Sequence, residues 1–188
     1  REQYEELLDK AWRLSARCGP LGSLWLTPGV LASLPAPLAA AVLRRAALIA
    51  AGREQRIRNI DAAAVLERPE SPLSLGGARL WPLAEGWLAG RDYRHIQERK
   101  ALPVGKAVCW DARYRLFLAD AAGGHEWRVA RLGQTQARRL HLELPAEWAA
   151  ASLALWRGQE FAAAPELGVW RGEAGNLLLS ALAWCRLP

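Results

Sequence analysis

Methionine is absent from all 188 residues, position 1 included. A translated chain begins with Met, and Arg1 is a poor product of simple Met removal. The expectation is therefore a portion of a longer protein, with further sequence upstream. Cysteine is scarce: Cys18, Cys109 and Cys185 are odd in number and far apart. That argues against a disulfide framework and for reduced thiols in the cytoplasm, the expected location. His95, His125 and His141 show no C-x-x-C or H-x-x-x-H spacing to those cysteines, so no metal site is expected. No apolar run approaches the roughly 20 residues of a membrane span; the longest, near 38–51, is interrupted by Arg44 and Arg45. Residues 1–6 alternate in charge without an apolar stretch, unlike a signal peptide. Nor is there a GxxxxGK[ST] loop. Gly76-Gly77 runs into Ala78-Arg79, and Gly123-Gly124 into His125-Glu126, neither of which cradles a nucleotide phosphate. The serines form no GxSxG elbow.

What is present is a folded, basic, tryptophan-rich chain. Hydrophobic residues make up 52% and charged residues 23%, a composition of globular domains rather than disorder. The net charge is +6, with 14 Lys/Arg against 11 Asp/Glu up to residue 99 and 11 against 8 beyond it. The surplus is thus spread over the length, but it concentrates locally. Arg44, Arg45, Arg53, Arg56 and Arg58 oppose only Glu54; Arg113, Arg115, Arg128, Arg131, Arg138 and Arg139 oppose only Asp120 and Glu126. Such stripes suit a phosphate backbone, or else form an ordinary solvated surface. The ten tryptophans can stack on unpaired bases where exposed, although Trp on helices and strands mostly packs cores. His125-Glu126 resembles an acid–base pair in composition only, because adjacent strand residues point to opposite faces.

The periodicity predicts a helix over 2–17, an extended piece at Leu24-Trp25-Leu26, and a short helix from Thr27-Pro28 to Leu34. A stronger helix is predicted over 37–51, with Leu38, Val42 and Ile49 on one stripe and Gly52 past its end, then another over 59–68. Alternation then predicts strands at 73–75, 78–83, 86–91, 107–110, 113–118, 126–131, 153–157, 160–164 and 177–184. Helices are expected around 135–142 and from Pro145. The fold class expected is α+β. A mainly helical first domain (1–93) closes with a small β-hairpin, residues 94–102 form a linker, and 103–188 make a small mixed α+β second domain. The Ala-rich stretches read as helix filler.

Read in order, several segments resemble the C-terminal half of the tRNA(Ile)-lysidine synthetase family. They begin with Pro20-Leu21-Gly22-Ser23-Leu24-Trp25-Leu26 and Leu31-Ala32-Ser33-Leu34-Pro35. Leu75-Gly76-Gly77-Ala78-Arg79-Leu80 and Gly86-Trp87-Leu88-Ala89-Gly90-Arg91-Asp92 follow. Trp110-Asp111-Ala112-Arg113-Tyr114-Arg115-Leu116 is similar to a W-D-G-R-F-R-L segment. Gln136-Ala137-Arg138-Arg139, Leu144-Pro145, Leu153-Ala154-Leu155-Trp156-Arg157-Gly158 and Ala163-Ala164-Pro165-Glu166-Leu167-Gly168 are similar to the family's basic helix, short helix and final hairpin. The resemblance spans about residues 20–172. Ala112 stands where the family usually has Gly, and the Pro expected just before Ala154 is missing; both bear on local turn geometry.

The resemblance implies a specific task. The family uses ATP to join lysine to C2 of the wobble cytidine in the isoleucine tRNA with a CAU anticodon. Its S-G-G-x-D-S loop does not occur in this sequence. The chain would then hold no cofactor itself, ATP and Mg belonging to the missing catalytic domain, and no catalytic residues. Its partners would be that tRNA and the N-terminal catalytic domain in cis, with a second copy of the chain as a further option and no membrane. The residues implied to contact tRNA are Arg138 and Arg139 first, then Arg113, Arg115, Arg128 and Arg131, then Arg44 and Arg45. Arginine suits this task because its planar fork binds phosphate bidentately. Two other readings stand beside it: a protein-interaction or structural module without an RNA role, and a small enzyme built on His125, Glu126 and Asp111.

Overall fold

A computed structural model describes residues 2–52, 57, 59–66, 71–83, 86–119, 126–171 and 179–183. The chain divides after Asp92 into two units.

The first unit runs α1 (Glu2–Ser15), β1 (Ala16–Cys18), β2 (Leu24–Leu26), α2 (Pro28–Ser33), α3 (Ala36–Ala51) and α4 (Asn59–Leu66). It ends with β3 (Leu73–Leu75), β4 (Ala78–Leu83) and β5 (Gly86–Arg91). Its strands form one antiparallel sheet in the order β1-β2-β5-β4-β3. This overturns the expectation of a mainly helical domain closed by a small hairpin: the hairpin is part of a five-stranded sheet. The physical reason lies in β2. Leu24 and Leu26 are fully buried while Trp25 is exposed, the alternation of a half-buried strand. The register Leu24↔Ala89, Trp25↔Leu88 and Leu26↔Trp87 satisfies the β2 backbone against β5. The helix expected to reach residue 17 stops at Ser15, whose buried hydroxyl donates to the Ala11 carbonyl at 2.7 Å. The Ser15 carbonyl in turn accepts the Thr27 N–H at 2.9 Å, and the chain between them turns back as the β1–β2 hairpin.

The core of this unit is built on α3. Val42 and Leu43 are fully buried, and so are Ala46, Ala47, Ala50 and Ala51, whereas Leu38 and Ile49 only border the cluster. Of the expected stripe, Val42 alone lies at the centre. The alanines are no filler: lacking bulk, they let α3 pack against α1, α4, β4 and β5 together. Gly52 ends the helix with φ 63° and ψ 17°, a left-handed geometry that glycine adopts without a Cβ penalty.

The second unit opens with a 3-10 turn (Tyr93–His95). It continues through β6 (Lys100–Ala101), β7 (Ala107–Trp110), β8 (Tyr114–Leu118), β9 (Trp127–Arg131), α5 (Gln134–Arg139), α6 (Ala146–Ala149), β10 (Leu153–Arg157) and β11 (Glu160–Ala164). A second 3-10 turn (Pro165–Leu167), β12 (Val169–Trp170) and β13 (Leu179–Ala183) follow. Two antiparallel sheets result, β12-β11-β10-β9-β6 and β13-β8-β7. Trp110, Tyr114, Leu116 and Leu118 of the smaller sheet share a core with Trp127, Val129, Leu153 and Leu155 of the larger. On the other face of the larger sheet, Ala154 and Phe161 pack with Ala137 of α5, Ala149 of α6 and Ala150 just past its end. The layers are therefore small sheet, large sheet, helices. The expected linker is absent as such: Ile96 and Leu102 are buried, and Lys100↔Val129 and Ala101↔Arg128 pair β6 to β9. Among the described residues no helix is long and apolar enough to cross a membrane.

Candidate functional site

The eight arginines expected to meet RNA are sorted by depth. Arg113 is the last residue of the turn joining β7 to β8, and it is buried. Its Nε meets the Asp111 carboxylate at 2.8 Å, its Nη2 donates to the Ala151 carbonyl at 3.1 Å, and its guanidinium lies 4.9 Å from the centre of the Tyr114 ring. The fork is spent inside the protein, which corrects its assignment as a tRNA contact. Around it, the Trp110 indole N–H and the Asp111 N–H both bond to Glu98, and the Tyr114 hydroxyl donates to Glu166 at 2.8 Å. Burial pushes the Tyr114 phenol well above its ordinary range; Arg113 opposes the shift and Glu166 adds to it. Asp111 and Ala112 both have left-handed φ, 49° and 52°, so the turn where the resembling family carries Gly is made here with Ala.

Arg45 is likewise occupied: it pairs with Asp9 at 2.6 Å and lies over the Trp12 ring, tying α3 to α1. Arg44 is half-buried and has interactions of its own. Arg131 donates to the Tyr93 carbonyl and lies over the Tyr93 ring. Arg128 is exposed and pairs with Glu126 at 3.2 Å. Arg115 is exposed on β8 beside Cys109 of β7. That strand does not pair with β9, so Arg115 on β8 and Arg128 and Arg131 on β9 are not carried by neighbouring strands. Arg138 and Arg139 are exposed in the last turn of α5 and have no carboxylate partner among the described residues. Arg53, Arg56, Arg58, His125, Cys185 and Trp184 lie outside the described residues.

Sequence reasoning missed the feature beside α5. An open groove of about 950 Å³ is lined by Trp156 and Phe161, by Arg139, and by four further arginines, Arg99, Arg131, Arg157 and Arg171, against two glutamates, Glu98 and Glu160. Glu160 pairs with Arg157 and Glu98 with Lys100, so Arg99, Arg139 and Arg171 keep no carboxylate partner among the described residues. The half-buried Trp156 packs edge-to-face on Phe161 at 5.6 Å, and Arg171 lies 5.4 Å from the Phe161 ring centre. The indole N–H groups of Trp127 and Trp156, both on this groove, have no acceptor among the described residues; a buried donor left so costs about 1–3 kcal/mol. Chemically the arrangement favours anions, with the Trp156 and Phe161 rings among its lining. Most of the other tryptophans are spent in cores: Trp12, Trp81, Trp87, Trp110 and Trp148 are buried, and among the described residues only Trp25 and Trp170 are exposed.

Of the acid–base trio, Asp111 is held in the buried pair and Glu126 is exposed on Arg128. Among the described residues no group of three or more His, Cys, Asp or Glu is placed to hold a metal ion. No family model matches the chain, and no curated protein matches it either.

Proposed function

We propose that this chain is the tRNA-holding, non-catalytic region of a cytoplasmic tRNA(Ile)-lysidine synthetase. It grips the isoleucine tRNA with a CAU anticodon while a catalytic domain outside this chain, carrying ATP and Mg, joins lysine to the wobble cytidine. The observation that carries the reading is the exposed pair Arg138 and Arg139 at the end of α5, beside a groove with five arginines and two glutamates. Guanidinium groups that are exposed and not already ion-paired are available to phosphate oxygens. The order of the resembling segments supports it too: Gln136-Ala137-Arg138-Arg139 falls on α5, and Leu153-Ala154-Leu155-Trp156-Arg157 is β10.

The test is Arg138→Ala with Arg139→Ala. Each lost phosphate contact removes about one unit from the slope of log affinity against log salt. The double variant is expected to bind tRNA more weakly and to flatten that slope by about one to two units. Unchanged affinity and slope refute the assignment.

A second reading, a protein-interaction module, is favoured by one observation: Tyr4, Leu7 and Leu14 on α1 are exposed apolar residues. Salt-insensitive self-association with no affinity for RNA would support that reading instead.

A further inference from the structure

The groove of the second unit has a shape and order that a simple basic patch lacks. The five strands beneath it run β12-β11-β10-β9-β6. Arg171 follows β12 at one edge, Arg99 precedes β6 at the other, and Trp156 lies on the central strand between them. Four strand spacings separate the two edges, about 19 Å at ~4.8 Å each. Arg139 borders the same groove from α5. Positive charge, aromatic surface and positive charge thus follow one another along a line.

Resting on the RNA-binding reading above, we infer that this groove takes an unpaired, extended segment of RNA rather than a duplex. An A-form duplex offers its partner a wide, shallow minor groove and a deep major groove that side chains do not read. It is recognised by a surface that lies against it, not by a concave groove floored with aromatic rings. An unpaired strand has base faces free to stack and phosphates spaced along one line. Aromatic side chains in a basic channel meet both. The volume, about 950 Å³, is at the upper end of the roughly 300–1,000 Å³ that encloses a ligand of drug size, the size class of one or two nucleotides. Trp156 supplies the stacking surface, and Arg99, Arg139 and Arg171 the phosphate contacts. The occupant is a free RNA end, which offers unpaired bases on an extended backbone.

The experiment uses the whole chain and four fluorescein-labelled probes: a single-stranded RNA hexanucleotide, a blunt-ended RNA duplex, isoleucine tRNA, and the same tRNA without its unpaired 3′ nucleotides. Arg171→Glu reverses an exposed charge at the cost of one cation–ring contact on Phe161; Trp156→Leu removes the stacking ring. Each variant is expected to weaken hexanucleotide binding by about tenfold or more while changing duplex binding less than about twofold. Trimming the tRNA end is expected to abolish the difference between wild type and variant. Equal losses on hexanucleotide and duplex overturn the inference and leave the tRNA-holding reading standing. No binding of any RNA by the wild type overturns both. Displacement of the hexanucleotide by polyglutamate at lower concentration than by unlabelled RNA overturns the inference in favour of an acidic protein partner. Should Trp156→Leu fail to fold, Arg171→Glu and Arg99→Glu carry the test alone.

Discussion

Replacing Arg113 with alanine separates a structural arginine from an RNA-binding one. In the native chain the Asp111 and Arg113 side chains are 1% and 8% exposed and 2.8 Å apart. Removing the guanidinium leaves a carboxylate beneath the surface with its charge partner gone, and breaking a buried pair from one side costs about 3–5 kcal/mol. For a unit of this size each kcal/mol is worth about 4–8 °C. Calorimetry of Arg113→Ala should therefore show the second unit melting at least about 12 °C lower. Asp111→Ala should cost a similar amount, since it strands the guanidinium instead. The double variant should recover about 1–3 kcal/mol of the summed loss, the coupling expected of residues in contact. At a temperature where Arg113→Ala remains folded, its RNA affinity should lie within about twofold of wild type. Wild-type stability with weakened RNA binding would refute the reasoning, because the guanidinium would then be reaching out of the fold.

Three further outcomes follow from other parts of the structure. Ala112→Gly should stabilise the second unit by about 0.5–1 kcal/mol in a urea titration, because Ala112 has φ 52° and a left-handed Cβ costs about 1–2 kcal/mol, part of which glycine returns through unfolded-chain entropy. Tyr114 makes stability alkali-sensitive. Its folded value lies above the unfolded one of 10.0, so the unfolded state releases the proton first. That contribution is complete below pH 10 and falls as pH rises further, by about 1.4 kcal/mol per unit; Tyr114→Phe should remove it, measured by urea midpoints across that range. Arg45→Ala should cost the first unit about 1 kcal/mol through its exposed ion pair and its contact with Trp12, with the salt slope of RNA binding unchanged.

Much of the second unit could be read locally. Alternation places β7 to β11 within a residue or two, because a strand's inward and outward residues sit next to each other in the chain. Pairing between distant segments could not be read in this way. Leu24-Trp25-Leu26 is visibly extended, but its partner Trp87-Leu88-Ala89 lies some sixty residues on, and nothing local says they meet. Residues 94–102 look like a linker because they are charged, yet Ile96 and Leu102 are the two that decide their place, by being buried. Charge is likewise visible in sequence while depth is not. Arg113 and Arg138 read alike until the Arg113 side chain is buried at its turn and Arg138 exposed on a helix surface. The groove could not be seen at all, since Arg99, Trp156 and Arg171 come together only once five strands have paired.

The most direct measurement is an anisotropy titration of the chain against isoleucine tRNA with a CAU anticodon and against methionine tRNA at several salt concentrations. Binding should weaken steeply as salt rises, with preference for the isoleucine tRNA if selection resides in this region and equal grip if it resides in the proposed catalytic domain. No binding to either tRNA at low salt would contradict it.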